Sequence, residues 1–115
     1  MIDWGMGDSE LALRLWLLGY ELRLIPHVEV GHVFRQVLPY QVARGSFLHN
    51  KLRLAFVHFS RPRLTAVIDR LHAEDDFSQA LAFLAESDVS TRRADLRRRR
   101  QHDDEWFFER FAHFE

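Results

Sequence analysis

Two short stretches limit what this chain can become. Leu22, Leu24 and Pro26 alternate with Glu21, Arg23 and Ile25, the pattern of a short strand ended by Pro. A second extended stretch runs from Val28 to Phe34. Two strands of this length make a marginal sheet unless others extend it. Yet the segment has the apolar content of a sheet interior. The expectation is therefore the C-terminal part of a larger α/β domain. The alternative is a compact independent domain in which later helices cover one sheet face.

The flanking residues set the rest of the organisation. Trp4-Gly5-Met6-Gly7 reads as a loop, because two Gly in four residues open backbone angles closed to other residues. Asp8 suits a helix N-cap, and Glu10 adds negative charge in the first turn. Leu11, Leu15 and Leu18 recur at helical spacing, with Ala12 and Trp16 widening the face, and Gly19 suits a C-terminal stop. Gln36 to Tyr40 reads as a loop around Pro39. From Gln41 to Phe59 the pattern is helical, through Phe47, Leu48, Leu52, Ala55 and Phe56. Pro62 suits the first turn of another helix, through Leu71. Further helices are expected at Phe77 to Leu84, from Ser90, and from about Asp103 to Phe111. Composition shifts at Ser60-Arg61-Pro62: all five Gly lie before it, and a charged, helical half follows. Residues 1–60 are read as one part, with two short strands after an N-terminal helix. Residues 61–115 are read as a helical C-terminal extension packed on it.

Composition excludes several classes. A chain of 115 residues makes one small domain, and 47% hydrophobic residues supply a real core. There is no Cys, so no disulfide scaffold, thiolate metal site or Cys nucleophile. Sixteen basic and 17 acidic side chains leave a formal charge of −1, so bulk attraction to nucleic acid is not expected. No apolar run approaches the roughly 20 residues needed to span a bilayer. No Gly-rich phosphate loop, nucleophile elbow or zinc protease motif is present.

The informative stretch is Trp4 to Tyr40. It opens W-G-M-G-D-S-E-L-A-L-R-L-W and continues through Gly19 and Pro26 to V-G-H-V-F-R at Val30–Arg35 and P-Y at Pro39–Tyr40. This resembles the C-terminal part of the catalytic domain in GT-A-fold glycosyltransferases, above all polypeptide N-acetylgalactosaminyltransferases and their bacterial relatives. The family pattern is W-G-G-E-N-x-E-x-S-x-R-x-W, then a Gly, a strand ending in Pro, V-G-H-V-F-R and P-Y. Asn50, Arg53 and Leu54 continue the likeness weakly.

The resemblance implies an intact enzyme that moves a sugar from a nucleotide-sugar donor, a UDP-sugar, to an acceptor hydroxyl. It makes His32 a ligand of a divalent metal, usually manganese, which neutralises the diphosphate as it leaves. The family's other ligands come from an Asp-x-His pair upstream, and this chain has neither Asp-x-His nor Asp-x-Asp. The resemblance puts Arg35 and Tyr40 on a loop over the diphosphate, where an Arg fork forms charge-assisted bonds. It puts Trp4 and Glu10 by the sugar and acceptor pocket. On the residues alone, Trp4 serves equally as a core plug and Glu10 as a first-turn acid. Gly7 and Asp8 stand where the retaining family has Glu and Asn. Asp8 moves the sequence toward inverting enzymes, in which a nearby acid deprotonates the acceptor hydroxyl, so Asp8 is the candidate catalytic residue. The nucleotide-binding half is not in this chain, and the chain by itself is expected to be inactive.

A second reading is a non-enzymatic helical interaction module. Arg92, Arg93 and Arg97 to Arg100 put six Arg in nine residues, and Trp106, Phe107, Phe108, Phe111 and Phe114 form an aromatic tail. The blander account is a solvated helix face, ion-paired to Asp95 and its acidic neighbours, and a tail docked onto the body.

Overall fold

The computed structural model describes residues 1–3, 5–34 and 43–113. Regular structure among them is entirely helical: α1 (Gly7–Leu17), α2 (Arg44–His58), α3 (Arg61–Leu71), α4 (Phe77–Ala85), α5 (Val89–Arg99) and α6 (Asp104–Phe111). The α/β class with its two short strands is thus overturned. Residues 20–34 carry no strand. Apart from the Arg23–Glu21 side-chain pair, a backbone hydrogen bond closes a turn there, from Val28 N–H to Ile25 carbonyl at 3.3 Å, with Pro26 at the position its fixed φ favours. The physical reason lies in pairing. A strand needs a neighbour's N–H and C=O groups and a surface for its apolar face, and the described residues supply neither. Leu24 is 90% exposed, Val33 89% and Phe34 83%. The loop read at Gln36–Tyr40 lies outside the described residues.

The helices follow their punctuation. Helix α1 ends in a Schellman motif: Gly19 N–H donates to Trp16 carbonyl and Tyr20 N–H to Leu15 carbonyl, both at 3.0 Å. Gly19 takes φ 90°, and a Cβ there would lie 2.5 Å from the Gln101 side chain. Pro62 sits in the first turn of α3. Asp103 caps α6 by accepting from Trp106 N–H at 2.9 Å.

Helix α2 is the hub, touching α1, α3, α4 and α5. One apolar cluster joins Leu48, Leu52 and Val57 of α2 to Ala80, Leu84, Val89 and Leu96. A second joins Leu13 and Leu17 of α1 to Leu54, Ala55 and Phe59, with Phe107 of α6 against it. The buried face of α1 therefore runs through Leu13 and Leu17, while Leu11 is exposed. Leu, Ala and Trp surround this helix, so periodicity alone misjudges its phase.

Polar groups close the seams. Arg93 of α5 and Arg100, which caps that helix's C-terminus, donate to the Phe56 and His58 carbonyls, which the C-terminal turn of α2 leaves without helical partners. Asp104 is buried and accepts from Ser60 N–H at 2.8 Å and Arg63 Nε at 3.0 Å, tying the start of α3 to α6. Burial pushes its carboxyl up, but these bonds outweigh that and hold it below the usual range. The aromatic tail docks: Trp106 and Phe111 lie 6.4 and 5.3 Å from Trp16, centroid to centroid. Phe114 lies outside the described residues.

Candidate functional site

The head of α1 is held by α2. Asn50 is fully buried; it accepts from Ile2 N–H at 2.9 Å and donates to the Ile2 and Gly5 carbonyls at 2.8 and 3.0 Å. One carboxamide thus uses donor and acceptor faces together to clamp the loop entering α1. The clamp matters because the loop is strained. Asp3 and Met6 take φ 46° and 64°, left-handed values that cost non-glycine residues free energy. Gly5 takes φ 106°, and a Cβ there would lie 2.3 Å from the Phe47 ring. Against this loop lies an open depression of about 390 Å³, lined by Asp3, Gly5, Met6, Gly7, Asp8 and Phe47.

Asp8 and Glu10 sit two residues apart on α1, about 200° around the axis, so they face opposite ways. Asp8 is exposed on the depression; it occupies the first turn rather than the N-cap, which is Met6, and among the described residues accepts only locally, from Ser9 N–H at 2.9 Å. Glu10 turns inward. Its Oε1 lies 2.9 Å from Nε2 of His58, which is 2% exposed, and its Oε2 lies 3.5 Å from Arg14. Burial alone would push the Glu10 carboxyl up; the His58 hydrogen bond and the charges of Arg14 and Arg92 outweigh that and hold it below its ordinary value. An ionised carboxylate only accepts, so His58 Nε2 carries the proton in this bond.

His32 lies on the exposed stretch after α1, its ring centroid 4.2 Å from that of Phe34. Among the described residues no three His, Asp or Glu side chains converge as a metal-binding group. These residues do not by themselves make the metal site that the resemblance implies. Trp4, Arg35 and Tyr40 lie outside the described residues. Sequence reasoning missed the Asn50 clamp and the Glu10–His58 pair. Asn50 continued the resemblance weakly, which was the available signal; nothing local linked Glu10 to a histidine 48 positions away.

With this geometry in place, comparison with known proteins shows what the chain is similar to. Over about half its length it resembles glycosyltransferases. It is 41% identical over 56 residues to polypeptide N-acetylgalactosaminyltransferase 11 of Xenopus tropicalis, covering 47% of this chain and 9% of that protein. It is 39% identical over 57 residues to the human enzyme numbered 16, covering 47% and 10%, and 44% identical over 54 residues to the mouse enzyme numbered 4, covering 47% and 9%. The matching segment thus spans about a tenth of the curated relatives' length. No family model matches, and no solved structure matches. No helix among the described residues is long and apolar enough to cross a membrane.

Proposed function

We propose that this chain works as a segment of a glycosyltransferase that moves a sugar from a nucleotide-sugar donor to an acceptor hydroxyl. The observation that carries the reading is the match to N-acetylgalactosaminyltransferases over about half the chain. The exposed apolar run fits it: Leu24, Ile25, Val28, Val30, Val33 and Phe34 would gain by burial against the rest of a longer protein.

Each residue then has a task. Asp8, exposed on the open depression, accepts the proton of the acceptor hydroxyl as that oxygen attacks the sugar. Arg35 and Tyr40 bind the leaving diphosphate, and Trp4 lies beside the sugar. His32 is one donor to a divalent cation, manganese in the resembled family, which supplies charge neutralisation; its other ligands come from outside this chain. Glu10, engaged by His58 and Arg14, fits a positioning role at the head of α1 better than sugar contact. The interaction-module reading loses two of its Arg side chains, Arg93 and Arg100, to the α2 carbonyls.

The test replaces the matching segment of the Xenopus enzyme with this one. The folded chimera is expected to transfer sugar, and Asp8→Ala, which carries neither this chain's carboxylate nor the resembled family's amide, to lower its rate on the order of 100-fold, the usual scale of a lost general base. The 115-residue chain alone is expected to show no turnover with UDP-sugar and manganese. A folded chimera without transfer, or one indifferent to Asp8→Ala, overturns the proposal.

A further inference from the structure

A second cavity lies on the inner side of α1, formed with α2 and α5, and has a volume of about 160 Å³. Its charged side chains come from three helices, Glu10 and Arg14 from α1, Arg53 from α2 and Arg92 from α5, over an apolar wall of Leu54 and Val57, with Met1 completing the lining. By volume it holds roughly five waters, far more than a packing void. The three guanidiniums share one carboxylate in the lining, that of Glu10. Arg53 donates to Ser87 Oγ at 3.1 Å and to Asp88 at 2.6 Å, leaving the rest of its fork uncommitted. Among the described residues the Arg14 side chain makes only the loose 3.5 Å pair with Glu10, whose other oxygen is taken by His58. The Arg92 side chain is half-buried and enters no hydrogen bond or ion pair among the described residues; it acts on Glu10 only through space.

Surplus guanidinium donors around a small, partly apolar space call for an anion. We infer that this cavity binds a small tetrahedral oxyanion, a phosphate or phosphoryl group. Three converging forks offer more donors than a carboxylate's two oxygens accept, whereas a phosphate presents oxygens to each helix. The low-dielectric wall strengthens each contact. Binding would also offset the mutual repulsion of Arg14, Arg53 and Arg92, one from each of α1, α2 and α5. The inference does not rest on glycosyl transfer, so either proposal stands if the other fails.

The experiment uses the 115-residue chain with inorganic phosphate as probe, read by thermal unfolding and isothermal titration, against sodium chloride at equal ionic strength and against acetate. Phosphate is expected to raise the unfolding temperature saturably, as a ligand of the native state does, with acetate having far less effect. Arg92→Gln is expected to weaken binding at least about tenfold with the helical circular dichroism signal retained, because a charge-assisted fork is lost. Arg92→Lys, which keeps charge without the fork, weakens it too. Arg98→Gln, on the exposed face of α5, leaves it unchanged. A shift that follows ionic strength alone, equal binding of acetate, or native affinity in Arg92→Gln overturns the inference.

Discussion

Replacing Glu10 with Ala removes the acceptor of a buried imidazole. His58 is 2% exposed and Glu10 17%, so water does not simply take the place of the lost carboxylate. A buried donor left without a partner costs about 1–3 kcal/mol. The Glu10–Arg14 pair, one helical turn apart at 3.5 Å, adds only about 0.3–0.5 kcal/mol. The sum is about 1.3–3.5 kcal/mol, or a fall of about 5–14 °C in Tm at roughly 4 °C per kcal/mol for a chain of this size. Glu10→Gln retains an oxygen acceptor but not its charge, which roughly halves the bond and limits the loss to about 1 kcal/mol. Acid supplies a second readout. The Glu10 carboxyl is held below its ordinary value in the folded chain, so its contribution is complete above the unfolded value and disappears as pH falls through the folded one. The stability gap between the native chain and Glu10→Gln should therefore be full at neutral pH and close below about pH 4. Urea unfolding across that range measures it. A Glu10→Ala loss under about 0.5 kcal/mol, the range of an ordinary surface change, refutes the paired-carboxylate argument. So does a Gln gap that ignores pH.

Two further changes test how α1 is held. Asn50→Ala removes three hydrogen bonds to Ile2 and Gly5, and should cost about 2–4 kcal/mol and speed amide exchange at Ile2, the hydrogen-bonded N–H of the entry loop; unchanged exchange there would show that Asn50 does not hold the loop. Gly19→Ala forces a Cβ into φ 90° and against Gln101, and should lower stability by about 1–2 kcal/mol in thermal unfolding, with a neutral result contradicting the Schellman assignment.

Local signals made the helices legible. Gly19, Pro62 and Asp103 each act within one helical turn, so their effects can be read from neighbouring residues. Alternation from Leu22 to Phe34 reports which side chains share a face; it does not report what lies against that face. Strand pairing needs a second backbone, and among the described residues none is offered. The inward turn of Glu10 was equally hidden, because His58 reaches it only after α2 has folded back beneath α1. Burial of α2 on nearly all sides also escapes a helical-period reading, which assumes one wet face. Its polar core members, His49, Asn50 and His58, look like surface residues until α1, α4 and α5 are in place.

Residues that match the resembled pattern and residues that depart from it differ in how they are held. Gly5, Glu10 and Gly19 match, and each is fixed by packing: beneath Phe47, against His58 and beside Gln101. Gly7 and Asp8 depart; they border the open depression with Gly5, but a Cβ at Gly7 meets nothing and Asp8 is exposed. The shared pattern here is thus mainly scaffold, while the variable part faces the space where chemistry is proposed. This separation makes Gly7→Glu, which restores the resembled residue, informative. A Cβ at Gly7 meets nothing within 4 Å, and the backbone there has no left-handed angle. As the first residue of α1, a Glu gains from the helix dipole and from reduced freedom of the unfolded chain. Gly7→Glu should therefore raise stability by about 0.5–1 kcal/mol in urea unfolding. Destabilisation would mean that the depression is closed or the loop differently set, and the outward placement of Asp8 would fall with it.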